Sequence, residues 1–393
     1  MRPIQSWRLS LVVALLLAGC GGGGDPEVPG SGSPSGAPTS KASFTTVVSF
    51  GSSESDLGTY APATSLAGNG TAPYFGGKFT TNSATGTVWV ENIATSLGVL
   101  VTPAEVGFAG QSVKCPAAAL GAPNSCTGYA QGGARVTDPN GRGHAGGALT
   151  VPIVTQIDNH LARFGSFKST DLILLVGGVN DLLDQFEAFA TTAAQVQAQA
   201  QAGQITADQA NLLIFAAQSD AQGAMKQAAL ELAGYVRTKI IANGGQYVAV
   251  VTLLDLASTP AGQSAPPAAR VVFSDLSRVF NLWLRDGLTG QPVQIIDAFE
   301  IYNNAVAAPA KFGFVDVTVP ACDPAKISAI TGGHITDGSA LFCNSTPGAP
   351  YNGMRAGADA TTTLFADSVH PTTGGHRYFS DTFTQQLKAF GWI

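Results

Sequence analysis

The chain predicts an open, doubly wound α/β fold, a parallel sheet with helices packed over it. Two observations lead there. Short β-branched apolar runs recur along the chain, and helical patterns alternate with them. The runs are Phe44 to Phe50 (FTTVVSF), Leu172 to Val176 (LILLV), Tyr247 to Leu253 (YVAVVTL) and Val293 to Ile296 (VQII). Continuous apolar segments of this length suit parallel strands buried on both faces. The helical patterns cover Pro152 to Phe164, an Ala/Gln-rich stretch from Thr191 to Ala242, Ala268 to Leu288, and roughly Thr373 to Phe390. Asn243-Gly244-Gly245 stops the long one. Such an alternation specifies a sheet that binds ligands outside the carboxyl ends of its strands.

The N-terminus precedes this pattern. Arg2 and Arg8 precede an apolar run, Leu9 to Leu17, that is too short to span a bilayer but fits a signal peptide over residues 1–19. The run ends Leu17-Ala18-Gly19-Cys20, which resembles the bacterial lipobox. That resemblance implies acylation of Cys20, cleavage before it and a membrane anchor; Gly21 in place of Asp implies export to the outer membrane. Two or three acyl chains hold firmly, because each buried methylene contributes about 0.8 kcal/mol. Residues 20–42, rich in Gly, Pro and Ser, read as a flexible tether, and residues 43–393 as one domain.

Composition narrows the partners. The formal charge of −6 over 393 residues becomes −8 once the two arginines of residues 1–19 are removed, and no Lys/Arg cluster exists. Phosphate neutralisation needs clustered cations, so a nucleic acid is not the expected partner. The chain has no H-E-x-x-H, Walker loop or dinucleotide glycine pattern after a strand, so no metal or organic cofactor is expected. Four cysteines remain beyond Cys20: Cys115, Cys126, Cys322 and Cys343. An even number in an exported chain predicts two disulfides, and of three connectivities the sequence-local Cys115–Cys126 and Cys322–Cys343 is the economical one.

The chemistry-bearing residues follow the strands. After the first comes Phe50-Gly51-Ser52-Ser53-Glu54-Ser55-Asp56-Leu57-Gly58. A serine on such a turn exposes its hydroxyl, and its own N–H can face a bound carbonyl. On its own a Ser-rich turn is common. After LILLV comes Gly177-Gly178-Val179-Asn180-Asp181, where the Asn180 carboxamide can stabilise an oxyanion or cap the next helix. Between them, Gly132-Gly133 offers an unobstructed N–H or a simple turn. Near the end stands Asp367-Ser368-Val369-His370-Pro371. Of the five histidines, His370 alone has a carboxylate three residues earlier, able to hold the tautomer that a general base needs. His144, His160 and His334 read as structural, and His376 as starting or capping the last helix. The Ala/Gln-rich composition of residues 186–225 favours an extended helix over a lid.

The order Ser, Gly, Asn, Asp-x-x-His resembles the GDSL esterase/lipase (SGNH hydrolase) family across the whole domain. Ser53 stands in the nucleophile position, three residues before Asp56 and five before Gly58; Gly133 and Asn180 match the oxyanion positions, and Asp367 and His370 the acid–base pair. Gly86-Thr87-Val88-Trp89-Val90-Glu91 resembles the family's Trp-Val-Glu segment, with Trp89 expected in the core. The resemblance implies a flavodoxin-like, three-layer α/β/α fold and hydrolysis of a small-molecule or lipid ester through an acyl-enzyme. A surface lipoprotein that only binds acylated ligands, or an acyltransferase or polysaccharide deacetylase, would carry the same residues. The chain departs from the family at Ser52 and Glu54, where Gly-Asp-Ser-Leu reads Gly51-Ser52-Ser53-Glu54. A Glu54 carboxylate ~5 Å from an oxyanion would repel it by about 3 kcal/mol at an effective dielectric near 20. Glu54 is therefore expected to face solvent or a substrate pocket.

Overall fold

The computed structural model describes residues 32–64 and 76–393. Six strands form: β1 (Thr46–Phe50), β2 (Glu105–Phe108), β3 (Gln111–Lys114), β4 (Asp171–Val176), β5 (Tyr247–Val251) and β6 (Gln294–Ile296). The α-helices are α1 (Ala61–Thr64), α2 (Trp89–Ser96), α3 (Ile153–Phe164), α4 (Val179–Gln201), α5 (Ala207–Tyr235), α6 (Pro260–Ser264), α7 (Pro267–Gly287), α8 (Ala298–Ala307), α9 (Pro324–Ile330) and α10 (Thr373–Ala389).

Four strands make one parallel sheet in the order β1-β4-β5-β6. Val48 pairs with Ile173, Ile173 with Val248, and Val250 with Ile295. All six residues of β4 and all five of β5 are buried, as continuous apolar runs between helices require. The four apolar runs thus became the four strands, trimmed by one or two residues at β1, β5 and β6. The separate antiparallel hairpin β2–β3 had no such signal, because three of its four β3 residues (Gln111, Ser112 and Lys114) are polar and the whole strand is exposed. Beyond β1, Ser49 makes a parallel bridge to Gly128: Ser49 N–H donates to Thr127 O at 3.0 Å and Tyr129 N–H to Ser49 O at 2.8 Å.

Helices flank this sheet. α10 packs against α2 and α8, while α5 packs against α3, α4 and α7. The α5 stripe Ala221, Met225, Ala228 and Leu232 recurs at three- and four-residue steps and is wholly inside, the spacing of one helical face. Trp89 is buried, with its ring 5.2 Å from both Phe379 and Phe383, the core role expected of it.

The long Ala/Gln stretch is not one helix. α4 starts at Val179, twelve residues before the expected point, and breaks after Gln201. Gly203 (φ +69°) turns the chain. Thr206 then caps α5, its hydroxyl taking the Gln209 N–H while the Gln209 side chain takes the Thr206 N–H. The uniform composition hid a capping box. Residues 186–225 are therefore the arms of a helical hairpin.

Part of the expected tether is bound to the domain. Cys20, the signal segment and residues up to 31 lie outside the described residues, but residues 32–42 are held on the domain. Trp392 Nε1–H donates to Pro38 O at 2.7 Å, Ala42 N–H to Trp392 O at 3.0 Å, and Ser35 N–H to Gln291 O at 2.8 Å. Few apolar side chains do not make a segment loose when its backbone finds partners. Among the described residues no helix is long and apolar enough to cross a membrane. Both disulfides form with the sequence-local pairing, Cys115–Cys126 and Cys322–Cys343. Closing loops of this size restricts the unfolded chain by about 3 kcal/mol.

Candidate active site

β1 ends at Phe50, and Gly51 turns the chain against the end of β4. A Cβ on Gly51 would lie 2.3 Å from Val176 O, so no other residue fits this approach. The turn is clamped by Gln156 of α3: Gly51 N–H donates to Gln156 Oε1 at 2.9 Å and Gln156 Nε2 donates to Gly51 O at 2.8 Å. Ser53 then opens a single turn of 3-10 helix, Ser53–Ser55.

Ser53 and His370 meet although 317 residues separate them: His370 Nε2 lies 2.8 Å from Ser53 Oγ. On its other side, His370 Nδ1 lies 2.8 Å from Asp367 Oδ2 and 3.0 Å from Oδ1. Asp367 is held by its own loop, Oδ1 accepting the Val369 and His370 N–H groups at 2.9 and 2.8 Å. Phe79 packs on the imidazole with ring centroids 4.9 Å apart. Burial pushes the His370 pKa down, but the Asp367 charge and hydrogen bond, with smaller contributions from Glu54 and Asp337, raise it overall. Burial likewise raises Asp367, yet His370 and the two backbone donors hold it below the usual carboxylate range. The arrangement keeps Asp367 anionic and His370 basic.

The oxyanion candidates converge on one loop. Asn180 is the second residue of α4, and Nδ2 donates to Ala134 O at 2.8 Å, next to Gly133. That bond uses one of two amide hydrogens. Gly178, not Asn180 or Asp181, is the N-cap of α4. Asp181 instead receives Val136 N–H at 3.0 Å and Arg135 Nε at 3.1 Å. Gly133 has φ +82°, and a Cβ there would lie 2.1 Å from Arg142 O. Among the described residues, no backbone carbonyl accepts the N–H of Ser53 or of Gly133.

Asp56 joins the two turns. Oδ1 accepts Gly58 N–H at 2.9 Å and Thr59 N–H at 2.7 Å, while Oδ2 accepts Gly132 N–H at 2.8 Å. Full burial outweighs these three donors and pushes its pKa up to about 6. The sequence used Asp56 only as a register mark. A carboxylate braces the serine turn, from a position three residues after Ser53.

Glu54 bends back to its neighbour and accepts Ser52 Oγ–H at 2.9 Å. It is half-buried and lines a cavity of about 30 Å³ with Val176, Leu254 and Tyr302. A larger cavity of about 400 Å³, lined by Tyr129, Gln131, Gln156 and Arg163, does not include Ser53 or His370 in its wall. The geometry at Ser53 carries more weight than cavity size.

The remaining histidines divide. His376 does not cap α10; Thr372 does, its hydroxyl accepting Gly375 N–H at 3.0 Å. His376 is buried in the first turn, where Nδ1 accepts Trp89 N–H at 3.3 Å, and burial lowers its pKa to about 3. His160 is buried in an aromatic niche, stacked on Phe167. His144 lies 3.1 Å from the Thr150 hydroxyl. Sequence reasoning missed Gln156 and Phe79, whose roles depend on distant neighbours and left no local signal. Among the described residues, no group of three or more His, Cys, Asp or Glu is placed to hold a metal. No protein-family model and no curated protein matches the chain.

Proposed function

We propose that the protein is a serine ester hydrolase of the GDSL/SGNH type. The observation that carries this reading is the continuous relay from Ser53 Oγ to His370 Nε2 and from His370 Nδ1 to Asp367, each step 2.8 Å. A serine so placed is activated by a base that a buried carboxylate orients. His370 takes the Ser53 proton as Oγ attacks an ester carbonyl. The Ser53 and Gly133 N–H groups and the Asn180 amide face the oxyanion; one such donor typically contributes ~3–4 kcal/mol. His370 next protonates the leaving alcohol, then activates the water that splits the acyl-enzyme. The reaction needs no metal or organic cofactor.

The Ser49–Gly128 bridge supports a flavodoxin-like sheet. Counted as a strand beyond β1, it makes the order 2-1-3-4-5, with the site at the switch point between the first and third strands. Two disulfides suit an oxidising compartment and hence an exported protein. The lipobox-like Cys20 gives the anchor in the outer membrane. Residues 32–42 run along the domain, so the anchor would reach it through residues 20–31. The half-buried Glu54 beside Ser53 is the feature that favours a binding-only protein. Its hydrogen bond to Ser52 Oγ partly offsets the charge, and hydrolysis is the better-supported reading.

A fluorophosphonate probe tests this. It should label the wild type and fail to label Ser53→Ala; no labelling of folded wild-type protein overturns the proposal. An ester panel of increasing acyl length then defines the substrate, and mass analysis of the mature N-terminus tests acylation of Cys20.

A further inference from the structure

The Asp367 carboxylate takes a third backbone donor from far outside its own loop. Ala340 N–H donates to Oδ2 at 2.8 Å, at a buried position. Among the described residues it is the one hydrogen bond to this carboxylate from beyond residue 370 or before residue 367. Ala340 opens the 3-10 turn Ala340–Phe342, and Cys343 closes it, with Cys343 N–H donating to Ala340 O at 3.1 Å. Cys343 is disulfide-bonded to Cys322, and Cys322 N–H donates to Ala366 O at 2.8 Å. Ala366 immediately precedes Asp367. One cystine therefore grips Asp367 from two sides, through Ala366 and through Ala340. Ala321, Cys322, Ile327, Ala340, Cys343, Met354 and Ala366 form a small apolar cluster of their own, separate from the main core.

We propose that the segment closed by Cys322–Cys343 positions the Asp367 carboxylate, with the Ala340 N–H as the positioning group. The inference rests on the hydrolase reading above. The two cysteines, 21 residues apart, close a loop that packs around a small apolar cluster, and the covalent link reinforces it. Ala340 N–H fixes Oδ2, the same oxygen that His370 Nδ1 meets at 2.8 Å, and so opposes rotation of the carboxylate away from the imidazole. The charged groups facing His370 are Asp367, Glu54 and Asp337, and His376 beside it is neutral because of its burial. Loosening Asp367 takes away the largest of the groups that keep His370 basic.

The test compares three variants. Ala340→Pro removes the donor at the first position of its turn, where proline's φ is accommodated. Cys322→Ser/Cys343→Ser opens the clamp, and Cys115→Ser/Cys126→Ser is the control. The first two should lower kcat about tenfold with KM within a factor of two, and move the acid limb of the pH–kcat profile to lower pH. The control should retain wild-type values for both. Should Ala340→Pro fail to fold, as far-UV circular dichroism would show, the double serine variant carries the comparison. The His370 imidazole titration, followed by NMR, reports the same displacement without any substrate. It therefore separates failure of this inference from failure of the hydrolase reading. An unchanged titration in both clamp variants overturns the proposal.

Discussion

Asp56 Oδ2 accepts the Gly132 N–H at 2.8 Å, which ties the turn bearing Ser53 to the loop bearing Gly133. Oδ1 holds Gly58 and Thr59 in the same way, so a single fully buried carboxylate serves three backbone donors. Asn cannot replace it: an amide oxygen can keep two of the bonds, but its NH₂ would face a third N–H. A hydrogen bond to a charged acceptor contributes ~1.5–3 kcal/mol. Asp56→Asn should therefore lower kcat by roughly ten- to a hundredfold in an ester assay, while Ser53 labelling by fluorophosphonate slows in parallel. A wild-type kcat would show that the two turns hold their spacing without it.

The Gln156 clamp predicts a different pattern. Its side chain bonds both backbone groups of Gly51, where β1 gives way to the Ser53 turn. Gln156→Leu keeps the volume but leaves the buried Gly51 N–H unpaired, which costs about 1–3 kcal/mol, while Gly51 O keeps the longer bond from Gln131 N–H at 3.3 Å. Thermal unfolding should move down by several degrees. Gln156→Glu keeps an acceptor for Gly51 N–H, but an ionised carboxylate at this buried position would face Gly51 O, so its loss should grow as the pH rises.

The charge on Glu54 predicts a pH effect with a definite sign. In the proposed mechanism His370 works as a base only when unprotonated, so the rate should rise with pH through its pKa, and Glu54 is among the groups that raise that pKa. Glu54→Gln should shift the acid limb to lower pH. The plateau rate should rise roughly threefold, since a surface-connected charge is largely screened. An acid limb that stays in place would show that Glu54 is electrostatically silent.

The main sheet was legible because each strand is a continuous apolar run, a pattern that two-sided burial requires and few loops imitate. Ser53, Gly133, Asn180, Asp367 and His370 were legible for another reason: their residue types suit the proposed chemistry, and their order along the chain resembles one family's. The structure brings Ser53, Asp367 and His370 into contact and ties Asn180 to the Gly133 loop through Ala134. What stayed hidden depends on partners far along the chain. Gln156 meets Gly51 across 105 residues, and Ala340 meets Asp367 through a backbone N–H that no side chain advertises. The break between α4 and α5 was written locally in Gly203 and the Thr206–Gln209 pair, but a uniform Ala/Gln background masked it.

His160 carries the last prediction. Its ring is buried and stacked on Phe167 with centroids 4.4 Å apart, beside Phe50, Tyr129 and Phe164. Among the described residues, neither ring nitrogen has a hydrogen-bond partner. Burial, with Arg163 and Lys168 adding repulsion, lowers its pKa to about 4 from 6.5. The unfolded chain therefore binds a proton through this window that the folded protein refuses. The resulting stability is present above pH 6.5 and is lost as the pH falls toward about 4. An aromatic ring without nitrogens suits the niche better. His160→Phe should raise stability by about 1 kcal/mol at neutral pH, by removing two unpaired polar atoms from the interior. It should also flatten the pH dependence of denaturant unfolding between about pH 4 and 6.5, with ester hydrolysis unchanged. Equal stability losses on acidification in wild type and variant would locate the acid sensitivity elsewhere, with His376, held neutral down to about pH 3, as the next residue to substitute.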